Sequence, residues 1–127
     1  LEACLFVLDP VANMGGENVI ENNMASGIRK LHEAHPETPI LLAENPVYDL
    51  PLRLTGMRDP RATRNAQTRA VYGECVAEGI PNLHYLPAQR LMGIDCEGAC
   101  DGSHPTDLGF MRMADGFETA IRRILDS

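Results

Sequence analysis

The sequence predicts an α/β domain built on a parallel sheet with helices on both faces. Two observations carry that reading. Short apolar runs alternate with longer stretches of helical spacing, in the order strand, helix, strand, helix, strand, helix. Alternation of this kind marks successive βαβ units. The apolar runs are also nearly continuous, as expected of strands covered on two faces. At 127 residues the chain suits a single core.

The first run is Ala3-Cys4-Leu5-Phe6-Val7-Leu8, stopped by Asp9 and Pro10. It reads as a strand buried on both faces. It stands at the very start of the chain, and Leu1 is not a methionine, so upstream residues are expected. From Glu17 to His35 the apolar positions Ile20, Met24, Ile28 and Leu31 form one helical stripe, and Pro36 ends it. Pro39 to Ala43 is the second strand, around Ile40-Leu41-Leu42. A long loop follows from Glu44 to Pro60. Arg61 to Glu78 contains few breakers and reads as a helix with a weak stripe, capped by Gly79. Asn82 to Leu86 is the third strand. A second long loop runs from Pro87 to Ser103. Thr106 then caps a helix whose stripe is Phe110, Met111, Ala114, Phe117, Ile121 and Ile124.

Composition excludes several classes. With 44% hydrophobic and 23% charged residues, the chain can bury a core and is not disordered. Its net charge of −7 repels phosphate backbones, which argues against a nucleic-acid partner. No apolar run is long enough to span a bilayer, so no membrane partner is expected. Of the four cysteines, only Cys96 and Cys100 are close. No second pair completes a zinc site. The reading is four unpaired thiols, with a local Cys96–Cys100 disulfide as the alternative. The pattern selects no compartment.

In a parallel α/β fold, ligands bind beyond the carboxyl ends of the strands. Three loops leave those ends, and two hold chemistry-bearing residues. The last contains Asp101-Gly102-Ser103-His104-Pro105. A carboxylate three residues before a histidine, in a glycine-containing turn, can reach the imidazole. It would hold the tautomer that leaves the other ring nitrogen free as a base. The first loop contains Asp9-Pro10-Val11-Ala12-Asn13-Met14.

Here a resemblance becomes specific. Asp101, His104, Pro105, Gly109 and Ala114 resemble the final signature of SGNH hydrolases, the GDSL-type esterase and lipase superfamily. Asn13 resembles the asparagine of their G-x-N-D motif. Val11 stands where glycine is usual and Met14 where aspartate is usual. The D-x-x-x-N-M form is similar to that of one subgroup. So are His35-Pro36 before the second strand, Arg64-Asn65 on the middle helix, and Gly109 to Asp115. The resemblance runs over nearly the whole chain. It implies a three-layer, flavodoxin-like α/β fold. It also implies His104 as general base, Asp101 as its orienting partner and Asn13 as an oxyanion-hole donor. That chemistry needs no metal and no cofactor.

One departure is serious. The superfamily carries its nucleophilic serine in a G-D-S-type motif after its first strand, and a second motif supplies an oxyanion-hole glycine. Neither motif is present. The serines are Ser26, Ser103 and Ser127. Ser103 adjoins His104, and adjacent side chains seldom converge. Residues 1–127 are therefore expected to be the C-terminal part of one such domain, without its first strands. The implied function is hydrolysis of a small acyl ester, with an acetylated carbohydrate as one case. The serine would come from a segment outside this chain. The alternative is a non-catalytic module of the same shape that binds a ligand or partner. A sheet without its first strands should expose backbone and apolar surface. Association with the complementary N-terminal segment, or with itself, is therefore expected.

Other motifs read as structural. His32 and His35 have the wrong spacing for a zinc pair on one helix face. Gly15-Gly16 lacks a phosphate-loop context and reads as a turn. Arg53, Arg58, Arg61 and Arg64 read as scattered surface charge, with a substrate rim as the alternative. Met24, Met111 and Met113 read as core filler.

Overall fold

Ile40, Leu41, Leu42 and Ala43 are all buried, and the rest of the fold is arranged around them. They form the central strand β2 (Ile40–Ala43). Its neighbours are β1 (Phe6–Leu8) and β3 (Leu83–Leu86). Both pair with β2 in parallel, and the sheet order is β1-β2-β3. The register places Phe6 beside Ile40 and Leu8 beside Leu42, and on the other side Ile40 beside Leu83 and Ala43 beside Leu86. This computed structural model describes residues 2–15, 18–46, 60–93, 95, 97–101 and 104–127.

Side chains alternate across a strand, and β2 shows the consequence. Ile40 and Leu42 enter one core, while Leu41 and Ala43 enter the other. The first core is closed by α1 (Val19–Ala34) and α2 (Pro60–Ala77). Ile20, Met24, Ala25 and Ile28 from α1 meet Val71 and Cys75 from α2 there. Arg29 on α1 joins the two helices at the surface through Glu74 and Glu78. The second core is closed by α3 (Asp107–Leu125), with Leu91 and Met92 from the loop after β3. Helices thus cover both faces of a parallel sheet. Burying a large apolar side chain contributes about 1.5–3 kcal/mol, so the three large residues of β2 are a main source of its stability.

Two expectations need correction. The first strand is shorter than Ala3–Leu8 and is not covered on both faces: Val7 remains 42% exposed. It lies at the edge of the described sheet, next to β2 only. The stripe on the last helix is also displaced. Met113, Phe117, Ala120, Ile121 and Ile124 pack against the sheet. Phe110 and Met111 face outward, with Met111 66% exposed. The packed residues recur at helical spacing, and Phe110, Met111 and Ala114 fall on the adjoining arc. Met111 is therefore not core filler, although Met24 is buried and Met113 packs against the core.

Helix ends follow local chemistry. Gly79 adopts φ +86° after α2, a conformation that favours glycine. Thr106 caps α3 by accepting from the Gly109 N–H, a contact worth about 1 kcal/mol. No helix among the described residues is long and apolar enough to cross a membrane.

Candidate active site

The carboxyl ends of the strands carry the loops of interest. After β1 the chain makes one 3-10 turn, Val11–Asn13. Val11 is fully buried and Met14 packs against the same core. Both therefore anchor the loop. This gives a packing reason for apolar residues where the resembling family has glycine and aspartate. Asn13, between the two anchors, stays exposed. Its N–H donates to the Pro10 carbonyl at 3.0 Å.

The loop after β3 is built as a tight hairpin. Ala99 and Pro105 form an antiparallel bridge, and the Cys100 N–H donates to the His104 carbonyl at 3.2 Å. Thr106 closes the base: its N–H donates to the Gly98 carbonyl and its hydroxyl to the Glu97 carbonyl, both at 2.9 Å. Inside this hairpin Asp101 holds His104 twice. Asp101 Oδ1 accepts from the His104 backbone N–H at 2.8 Å. Asp101 Oδ2 lies 2.7 Å from His104 Nδ1. A carboxylate only accepts, so Nδ1 carries the proton and the neutral ring keeps its lone pair on Nε2. The same carboxylate thus sets both the turn and the tautomer. The His104 side chain is 79% exposed and Asp101 52%. Nε2 is therefore open to a substrate.

The structure brings Asp101 and His104 together. It places Asn13 on a different loop, and no hydrogen bond among the described residues joins Asn13 to the pair. Gly16, Arg53, Arg58, Cys96 and Ser103 lie outside the described residues. Cys100 forms no disulfide among the described residues. Burial pushes the Cys75 thiol upward, which makes it inert. Among the described residues no group of His, Cys, Asp and Glu is arranged to hold a metal. His35 instead lies against the Phe6 ring, 5.1 Å between centroids. Ser26 is on α1, and the Ser127 hydroxyl donates to the Ile124 carbonyl.

The roles of three supporting groups were not legible in the sequence, although Asn65 and Arg112 lie in stretches that resemble the family. Glu44, directly after β2, is 1% exposed. Its carboxylate accepts from Arg69, from the Tyr85 hydroxyl at 2.6 Å and from the Ala88 N–H at 2.8 Å. Burial, together with the Glu44 carboxylate, pushes the Tyr85 hydroxyl well above its ordinary range. Asn45 and Asn65 exchange two hydrogen bonds of 2.9 and 2.8 Å. These groups tie the loops after β2 and β3 to α2. For Glu44 the one available signal was a charge at the end of a buried run.

The third group is Arg112 on α3. It grips Asp95 with two bonds of 2.6 Å and donates to the Met92 carbonyl at 2.9 Å. It therefore tethers the loop from which the Asp101–His104 hairpin rises. The Arg112 guanidinium, helped by the Glu97 N–H, holds the Asp95 carboxyl well below its ordinary value of 3.8. A carboxyl depressed on folding contributes stability above its unfolded value and loses it as pH falls toward the folded one. Asp95→Asn should therefore differ from the parent in thermal unfolding at pH 7. The two should converge as pH drops below 3.8. A difference that widens on acidification would contradict the tether.

A model of the GDSL-like lipase/acylhydrolase family matches residues 1–122. The chain belongs to that family. Comparison with curated proteins found no match. Among solved structures, a protein described as a GDSL-like lipase from Bacteroides ovatus is 26% identical, with a TM-score of 0.78 over 99% of this chain and 37% of its own. The salicylyl-acyltransferase SsfX3 from a tetracycline biosynthetic pathway is 21% identical, with a TM-score of 0.73 over 98% of this chain and 38% of its own. A peptidoglycan O-acetylesterase is 19% identical, with a TM-score of 0.71 and the same two shares. The last two show the shared fold alone. The chain therefore spans under two-fifths of the length of these three family-fold structures.

Proposed function

We propose that the protein carrying this chain is an ester hydrolase for small acyl esters, acetylated carbohydrates among them. In this reading its nucleophilic serine comes from outside these 127 residues. The observation that carries the reading is the 2.7 Å contact between Asp101 Oδ2 and His104 Nδ1, with Nε2 exposed. Family membership supports an ester as the substrate.

The steps follow from those groups. His104 Nε2 takes the serine proton as the serine oxygen attacks the ester carbonyl. The carbonyl electrons move onto oxygen, where the Asn13 side-chain amide donates to the developing charge. As the tetrahedral intermediate collapses, the imidazolium returns its proton to the departing alkoxide. Water then repeats the sequence on the acyl-serine and frees the acid. Asp101 stabilises the imidazolium at both stages.

The test is hydrolysis of p-nitrophenyl acetate by the full-length protein, with Asn13→Ala as the first variant. Loss of one oxyanion donor should lower kcat by about 10²–10³ with little change in KM. A fluorophosphonate probe should label a serine outside these residues. A full-length protein that neither turns over the ester nor takes the probe is a binding module, and the proposal falls.

A further inference from the structure

Four of the described arginines, Arg29, Arg69, Arg112 and Arg122, pair with a carboxylate. Arg64 does not. It is half-buried near the start of α2, and its Nη1 donates to the Ala12 carbonyl at 3.5 Å. That distance is beyond the usual range for an N–H donor. Its Nη2 lies along the same loop, 3.2 Å from where a Cβ on Gly15 would stand. The guanidinium therefore borders the segment that carries Asn13, at the carboxyl end of the sheet. It offers five donors and, among the described residues, uses one of them weakly.

The surroundings make this arrangement notable. An anion carried by a ligand would meet donors that no carboxylate among the described residues occupies. Asp9, at the start of the same loop, is shifted upward by desolvation alone. A nearby guanidinium would shift it the other way. The backbone beneath Arg64 is held in place, because the next residue, Asn65, is locked to Asn45 by two hydrogen bonds. The chain as a whole carries a net charge of −7 and repels anions at a distance. A local cation is thus what an anionic substrate would need here.

We infer that Arg64 is a specificity-determining residue that receives a carboxylate on the substrate. The substrate class is then an ester bearing an anionic group beside the Asn13 loop. This rests on the ester-hydrolase reading above, and the test separates the two.

The full-length protein is assayed with p-nitrophenyl acetate and with the hemisuccinate and hemiglutarate esters of p-nitrophenol. The parent should favour a carboxylate-bearing ester by about tenfold or more in kcat/KM. Arg64→Met should cost that ester about 100-fold and the acetate at least about tenfold less. Arg64→Lys should recover part of the loss, since it keeps the charge but not the planar fork. Equal losses on both esters, or an undiminished preference in Arg64→Met, overturn the inference. If Arg64→Met does not fold, competition by glutarate against acetate hydrolysis in the parent and in Arg64→Lys decides instead: stronger inhibition of the parent supports the role, and equal or no inhibition overturns it. If the parent hydrolyses none of these esters, the hydrolase reading fails. Calorimetric binding of glutarate then still decides on Arg64: binding that Arg64→Met loses supports the role, and binding unchanged or absent ends it.

Discussion

His104→Ala should lower kcat of the full-length protein on p-nitrophenyl acetate by about 10⁴-fold or more. In the proposed reaction the imidazole moves the proton, and alanine leaves nothing in its place. Asp101→Asn is the sharper variant. Its side-chain oxygen can still accept from the His104 N–H, so the turn survives. Its amide, facing Nδ1, would make that nitrogen an acceptor and move the ring proton to Nε2. The base is then lost with the hairpin intact, and the drop should approach that of His104→Ala, about 10⁴-fold. The double variant should be little worse than either single one, because the two residues act as a unit. Thermal unfolding should barely change in His104→Ala, since the side chain is mostly exposed. Unchanged turnover in both variants would remove His104 and Asp101 from the chemistry.

Gly109→Ala should be among the most destabilising single substitutions in the chain. A Cβ there would stand 2.0 Å from the Gly98 carbonyl oxygen and 2.8 Å from Met92 Cε. The methionine can swing away. The carbonyl cannot, because it accepts the Thr106 N–H at the base of the hairpin. Backbone must therefore move, at a cost of about 3 kcal/mol or more. The melting temperature should fall by on the order of 10 °C. Activity should fall as well, since Gly98 leads directly into the strand of the hairpin that holds Asp101. Gly27 and Gly73 make the control. Both lie within helices, and a Cβ at either meets nothing within 4 Å. Alanine at those positions should stabilise by about 0.5–1 kcal/mol. If Gly109→Ala behaves like the controls, the close crossing of α3 over Gly98 is wrong.

What was legible in the sequence follows the range of each interaction. The three strands and three helices were legible because each rests on its own periodicity and punctuation: Pro36, Gly79 and the Thr106 cap stand where the chain changes state. The Asp101–His104 contact was legible for the same reason, since three residues in one turn leave little freedom. The resemblance of Asn13 to a family motif located it on a loop, but the sequence carried nothing about what packs beneath it. Phe110 and Met111 carry the hydropathy of the buried stripe on the last helix, yet both are exposed. Hydropathy marks which residues can be buried, whereas the helix's rotation against the sheet decides which are.

By itself, then, the order of residues determined the parallel α/β layout and one carboxylate–imidazole pair, because both arise from neighbours along the chain. Tertiary structure alone decided that Glu44 is a buried hub, that Arg112 tethers the loop below the hairpin, and that Arg64 reaches the Asn13 loop from 52 positions away. Those contacts depend on how the helices dock on the two faces of β2. No local pattern specifies that docking, which is set by the combined packing of residues distant in sequence.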